Sequence, residues 1–423
     1  MLIEFSVQNY RSIKEKATLS MIASPDDTNP NNIIIDENID DGVLRTAVIY
    51  GPNASGKSNI VNAMQFLRNF VLTSHMIQKG QKLNYQPFKM NEESRSSPSR
   101  FHIVFMRKGT RFSYTLEIKQ DRVINESLYS YPKGRRSLIF ERTNSKDFKF
   151  TKDKTEQGFI SERTLENVSY LSNSTQLNYK GTSEAFDWFR EDFYTAGLAN
   201  DPSSEDLIFE LIKNPHMKKM VLRALAEADV DISDVSAKRT PMEYSKLPPE
   251  LKPMIRNFML LSNQEEVIAY ETKTVHKVKG KDGKEEQITF DMMMEESEGT
   301  KRLFVLMGPI IDALVHGKTL ILDELDVRLH FLITKMLIGL FHDERQNRSG
   351  AQLVFTTHDV NLLDLQLFRR DQIWFTEKDE GTKGTTLFSL VEFSPRKGEN
   401  IEKGYLAGRY GALPFIPTGK VME

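Results

Sequence analysis

Gly51-Pro52-Asn53-Ala54-Ser55-Gly56-Lys57-Ser58 is the stretch on which the reading of this chain turns, because it matches G-x-x-x-x-G-K-[ST] in full. Glycines at the first and sixth positions let successive backbone N–H groups turn inward around phosphate oxygens. Lys57 is then placed to reach the terminal phosphates and Ser58 to ligate magnesium. The motif needs a strand before it and a helix after it, and both are legible. Residues 44–50 form a short β-branched run, and Ile60, Met64, Leu67 and Val71 recur at helical spacing over 59–72. Residues 51–58 together with Asn59 therefore read as a nucleotide-binding loop, with a nucleoside triphosphate and Mg2+ as the expected ligands.

Such a loop needs carboxylates to hold magnesium and to activate water. Residues 319–322 are a continuous apolar strand of the kind buried in a parallel sheet, and Asp323-Glu324 follow at its end. Asp323 is read as a magnesium ligand beside Ser58, and Glu324 as the group that polarises the attacking water. A second apolar strand, 353–356, ends in Thr357-His358 and places His358 to reach the terminal phosphate. Ser297-Glu298-Gly299-Thr300 precedes an amphipathic helix over 300–315. By itself this segment reads first as a helix cap, with an anion site as the alternative.

Elsewhere the pattern changes with position. Residues 2–8 and 17–22 read as strands, and 24–41 as an exposed acidic loop. Residues 101–106, 112–118, 123–131 and 138–142 alternate as an antiparallel sheet, with turns at Lys108-Gly109 and Pro132-Lys133-Gly134. Helices are expected over 183–194, 204–228 with a break at Pro215, and 249–261. A hairpin, 267–278 with 287–290, turns around the cationic tip 279–284, which is either a solvated turn or a phosphate contact. A strand is expected at 373–376. The resulting division is 1–84 (N-terminal part of the head with the loop), 85–175 (antiparallel β segment), 176–264 (helical insertion) and 265–423 (C-terminal part of the head).

Composition narrows the class. The 423 residues carry 57 Lys+Arg against 59 Asp+Glu, a net charge of −2, which excludes a protein that coats nucleic acid with its whole surface. The absence of cysteine excludes a disulfide framework, thiolate metal sites and a Cys nucleophile. No signal peptide or membrane-spanning run is legible, so a cytoplasmic protein is expected. His75, His102, His216, His276, His316, His330 and His342 lack metal-ligand spacing and read as surface or capping residues. Lys133 to Arg136 and Arg369-Arg370 are candidate polyanion contacts that also read as solvated faces.

The order of these motifs resembles the ABC-type ATPases of the SMC, RecF and OLD group, and more closely the AbiLii/RloA-like ATPases of phage-defence loci. The likeness is carried by Asn9-Tyr10-Arg11-Ser12-Ile13, Pro87-Phe88-Lys89, Glu296 to Arg302 and Tyr405 to Ala412, beside the motifs above. It implies an α/β fold: a P-loop ABC-type ATPase head with a mixed central sheet and flanking helices, an antiparallel β subdomain and an inserted helical subdomain. It implies further that two heads sandwich nucleotide. Lys57, Glu324 and His358 of one copy would then face Ser297 and Gly299 of the other, with Asp326 at the dimer interface. Gln86 is the candidate for the magnesium-sensing glutamine, and reads equally as a polar residue at a strand start.

The implied function is a Mg2+-dependent ATPase that regulates a separate effector, such as a nuclease, in anti-phage defence; nucleic acid is possible but not required. Two rivals stand beside it: a RecF-like repair ATPase that binds DNA directly, and a nucleotide-gated scaffold with little turnover. The signature Glu-Ser-Glu-Gly departs from Leu-Ser-Gly-Gly by a carboxylate at Glu298, which implies slow or partner-gated hydrolysis. No long coiled coil is legible, and no second active site of the OLD nuclease type. Lys57, Lys301 and Arg302 are expected to aim their charge at nucleotide.

Overall fold

The computed structural model describes residues 1–37, 39–196, 202–242 and 267–414. The helix expected over 249–261 lies outside the described residues. The chain forms two compact units, Met1–Leu198 with Asp312–Glu423, and Ala199–Ile311.

Two sheets build the first unit. One has six strands in the order Phe193–Ala196, Thr319–Leu322, Gln352–Thr356, Thr46–Tyr50, Ile373–Lys378, Thr385–Ser389. The first five run parallel and the last is antiparallel. Its three central strands, Thr319–Leu322, Gln352–Thr356 and Thr46–Tyr50, are buried along their whole length. Continuous apolar runs are what a sheet covered on both faces requires. The other sheet has seven antiparallel strands, Asp147–Phe150, Ser137–Thr143, Val123–Tyr131, Thr110–Ile118, Ser99–Arg107, Leu2–Gln8 and Ala17–Ser20 in spatial order. The expected β segment is thus extended at one edge by the two opening strands of the chain.

A single apolar core joins these layers. The helix Lys57–Thr73 buries Ile60, Met64, Leu67 and Val71 against Phe5, Phe101, Ile103 and Phe105. Trp188 stacks between Phe105 (centroids 4.1 Å apart) and Phe193 (4.7 Å). That stack explains one departure from the sequence pattern. Residues 183–194 read as one helix, but the chain is helical only as far as Asp192. Phe193 then begins a strand that pairs in parallel with Thr319–Leu322.

Residues 24–41 are likewise no simple loop. Ile33–Asp36 pairs with Ile39–Leu44, and the buried Asn32 amide bonds the Leu367 carbonyl at 3.0 Å and Gln372 at 2.8 Å. Arg369 is fully buried and donates to the Ser24, Asp26 and Thr28 carbonyls and to Asp371. Arg370 pairs with Asp26 at 3.1 Å. Arg369-Arg370 is therefore a structural clamp and not a polyanion contact.

The second unit holds the helices Pro202–Lys213 and Pro215–Glu227, broken where Pro215 predicts. It also holds a three-stranded antiparallel sheet of Asp234–Met242, Val267–Lys279 and Glu285–Asp291. The expected hairpin is two of these strands; the third has no clear period in the sequence. The helix Glu298–His316 starts in this unit. Among the described residues no helix is long and apolar enough to cross a membrane.

One buried histidine sets a pH limit on the first unit. His342 Nε2 lies 2.8 Å from Thr46 Oγ1, which itself accepts from Gln372 Nε2 at 2.6 Å. Burial, reinforced by Arg45, lowers the His342 pKa from 6.5 to about 3. The unfolded chain therefore binds more protons. This stability is fully present above about pH 6.5 and is lost progressively as pH falls toward 3, by about 1.4 kcal/mol per unit. Thermal denaturation scanned from pH 7.5 to 4.5 should show Tm falling from about pH 6.5, above the carboxylate range. His342→Gln should reduce that slope and leave the share of His102, whose pKa burial lowers to about 4; an unchanged slope would remove His342 as a cause.

Candidate functional site

The loop 51–58 leaves the end of the strand Thr46–Tyr50 with Gly51 at φ 154°, Ala54 at 61° and Gly56 at 111°. A Cβ on Gly51 would collide with the Thr376 backbone and sit 2.7 Å from Ser55 Oγ; on Gly56 it would strike Thr385 and lie 2.9 Å from Ser12 Oγ. Only glycine fits both positions. No side chain caps the start of the helix Lys57–Thr73, so its first N–H groups are left for an anion. Lys57 is buried and turns its ammonium to the Gly51 and Pro52 carbonyls, at 2.7 and 3.2 Å. Burial lowers its pKa, opposed by Asp323, Glu324 and Asp326.

Three hydroxyls brace the loop. Thr376 Oγ1 is 2.7 Å from Ser55 Oγ. Thr385 Oγ1 donates to the Ser55 carbonyl at 2.7 Å and lies 2.7 Å from Ser12 Oγ. Ser12 in turn accepts from Asn59 Nδ2 at 2.6 Å. Sequence reading did not find Thr376 and Thr385, since β-branched residues are what any strand contains. The motifs around Asn9 and Phe88 turn out to be one assembly. Asn9 accepts from Phe88 N at 3.0 Å and donates to the Ser94 and Ser97 carbonyls. Arg11 Nε donates to Gln86 Oε1 at 2.8 Å, and its guanidinium lies 3.5 Å from Asn59 Oδ1. Gln86 thus stands beside the loop helix through Arg11, outside any strand. The segment Tyr405 to Ala412 packs behind the loop strand: Tyr405 stacks on Phe375 (5.5 Å) and abuts Tyr50 (6.4 Å), while Ala412 N donates to Glu377 at 2.9 Å.

The carboxylates are organised by the strand between theirs and the loop's. Gln352–Thr356 lies between Thr319–Leu322 and Thr46–Tyr50. Its last residue, Thr356, donates through Oγ1 to Asp323 Oδ1 at 2.6 Å and accepts from Glu324 N at 2.8 Å. One hydroxyl therefore holds the Asp323 carboxylate and the Glu324 backbone. Glu324 has φ 52°, which turns the chain so that Leu325 N bonds the Thr356 carbonyl at 3.1 Å. His358 Nε2 lies 3.9 Å from Glu324 Oε1, and His358 N donates to Asp326 Oδ2 at 3.3 Å. Asp326 Oδ1 is buried and has no hydrogen-bond partner. Burial, with Lys57 beside it, lowers the His358 pKa below its usual value despite Asp326, Glu324 and Asp323, so the ring is neutral at pH 7.

Lys57, Asp323, Glu324, Asp326 and His358 thus converge where the parallel strands end, the usual ligand edge of such sheets. The residues fit a magnesium nucleotide: a glycine cradle, an uncapped helix start, a buried lysine, a buried Asp323 and an Asp326 oxygen lacking a donor. Among the described residues no group of three or more His, Asp or Glu side chains forms a metal centre. Magnesium is commonly held by one or two carboxylates plus phosphate oxygens.

Ser297 and Gly299 belong to the other compact unit. Ser297 Oγ accepts from Thr300 N at 3.1 Å and caps the helix Glu298–His316. Glu298 pairs with Lys301 at 2.9 Å, so Lys301 is engaged within its own helix, and Arg302 is largely buried.

The family profile described as "AAA domain, putative AbiEii toxin, Type IV TA system" matches residues 47–364, well over half of the chain. The chain belongs to this family. The match to the AbiEii-type AAA family includes the loop, the Asp-Glu strand and His358, and makes the protein a P-loop ATPase. No curated protein matches it. Among solved structures it is similar to an SMC head bound to the C-terminal winged-helix domain of ScpA (14% identity, 93% of this chain and 99% of that chain, TM-score 0.39). It is similar also to the SMC head domain from Thermotoga maritima (12% identity, 92% and 98%, TM-score 0.39). A third is CbiO1 from Clostridium perfringens, part of the CbiONQ transporter complex (12% identity, 96% and 96%, TM-score 0.34). Likenesses this distant carry no argument about this AbiEii-type protein.

Proposed function

We propose that the protein hydrolyses ATP with magnesium at this site, as a dimer of heads, and that the cycle regulates a separately encoded effector. The observation that carries the reading is the Thr356 hydroxyl holding Asp323 and Glu324 together, with His358 3.9 Å from Glu324. Magnesium, when bound, neutralises charge on the terminal phosphates. Ser58 and Asp323 would hold it, and Lys57, now on the Gly51 carbonyl, would turn to a phosphate oxygen. Glu324 accepts the proton of the attacking water. Neutral His358, with its backbone N–H fixed by Asp326, donates to the oxygen that gains charge. Ser297 and the Gly299 amide, from the second copy, complete the site across the Asp326 loop. Gln86 couples it to Arg11.

The regulatory role in anti-phage defence is supported by the motif resemblance. Light scattering tests the two-head reading. With Mg2+ and a non-hydrolysable ATP analogue the mass should double, and Ser297→Ala should weaken that association at least tenfold while single-head nucleotide binding persists. A wild-type mass unchanged by the analogue would sink the proposal.

A further inference from the structure

The segment leading into the signature is tied to the hairpin by a buried carboxylate. Glu296 Oε1 accepts from Thr274 Oγ1 at 2.5 Å and from His276 Nε2 at 2.8 Å. The Glu296 side chain is 8% exposed and that of His276 19%, and Thr274 is fully buried. The His276 ring packs on Phe290 of the paired strand at 4.7 Å. Between strand and signature the chain is held closely: Met292 N bonds the Thr272 carbonyl at 2.9 Å, and Asp291 Oδ1 accepts from Met293 N and Met294 N. Glu296 is thus the last residue fixed to the sheet before Ser297, whose hydroxyl caps the next helix.

We infer that Glu296 is a positioning residue: through His276 and Thr274 it makes the hairpin set the place of Ser297 and Gly299. The inference rests on the two-head reading above, since the signature acts on the partner's nucleotide. A hydrogen bond to a carboxylate largely removed from water is among the stronger polar contacts, and losing the His276 donor leaves Thr274 alone to hold Glu296. Displacing a positioning group by about 1 Å costs on the order of 100-fold in rate. His276→Ala and Glu296→Ala should therefore lower kcat by about that factor, with KM for ATP changed less than about threefold. His276→Gln, whose amide can donate to Glu296, should restore most of it.

Mixing subunits separates this inference from its premise. Lys57→Ala has a dead loop and an intact signature, so with Glu296→Ala it forms one site whose loop and signature are both native. Turnover of the mixture well above either variant alone is the expected result, as for Lys57→Ala with Ser297→Ala. If Lys57→Ala complements Ser297→Ala but not Glu296→Ala, or if His276→Ala turns over like the wild type, Glu296 does not position the signature. If Lys57→Ala fails to complement Ser297→Ala, the two-head reading falls and this inference with it.

Discussion

Glu324→Gln should abolish phosphate release, by on the order of 10²- to 10⁴-fold, the usual contribution of a positioned base, while ATP binding stays near that of the wild type. The substitution keeps the shape of the side chain and leaves the backbone bond from residue 324 N to Thr356 Oγ1 intact. It removes only the capacity to accept a proton. Asp323, gripped by the same hydroxyl at 2.6 Å, still serves the metal. The variant should therefore accumulate as the nucleotide-bound dimer. Single-turnover phosphate release, nucleotide binding and light scattering together check this. Turnover within a few-fold of the wild type would assign the base elsewhere. Purified with its neighbouring genes expressed, the trapped form should also retain the effector; recovery of the ATPase alone would leave the regulatory half of the proposal without a partner.

Gly56→Ala should remove nucleotide binding and destabilise the first unit together. At φ 111° an L-residue is strained by about 1–3 kcal/mol. The added methyl would strike Thr385, itself held by the Ser55 carbonyl and Ser12, and overpacking adds about 1–3 kcal/mol more. The collision cannot relax without dismantling the hydroxyl brace that shapes the loop. Nucleotide affinity should fall at least 100-fold, and denaturant unfolding should shift by several kcal/mol. Gly158→Ala is the control: Gly158 lies within the helix Lys154–Glu162 with nothing within 4 Å of the new methyl, so it should be neutral or stabilising by about 0.5–1 kcal/mol. Equal effects of the two substitutions would show that the Thr385 contact does not matter.

Much of the site was legible because its parts are local. Strand, glycine turn and helix follow one another without interruption from Thr46 to Thr73, and each acid or imidazole sits at the end of its own apolar run. Two departures were of one kind. Phe186, Phe189 and Phe193 keep a helical spacing, yet Phe193 enters the parallel sheet, because Trp188 and the strand Thr319–Leu322 offer it more than another helical turn does. Residues 24–41 look solvated, yet Asn32 and the buried Arg369 lock them to a segment more than 300 residues later. In both cases a distant partner outweighed the local pattern.

By itself the sequence determined that a P-loop motif lies between a strand and a helix, that Asp323, Glu324 and His358 stand at strand ends, and that an antiparallel segment intervenes. Backbone chemistry and periodicity are properties of neighbours along the chain. Only the tertiary structure decided which strand separates the acids from the loop, and so that Thr356 holds the Asp323 carboxylate and the Glu324 backbone. It alone set Thr376, Thr385 and Ser12 around the glycines and bolted Asn9 and Arg11 to Gln86 and Phe88. Those arrangements depend on pairing between residues far apart in sequence, where any threonine or asparagine looks like any other until the sheet order is fixed.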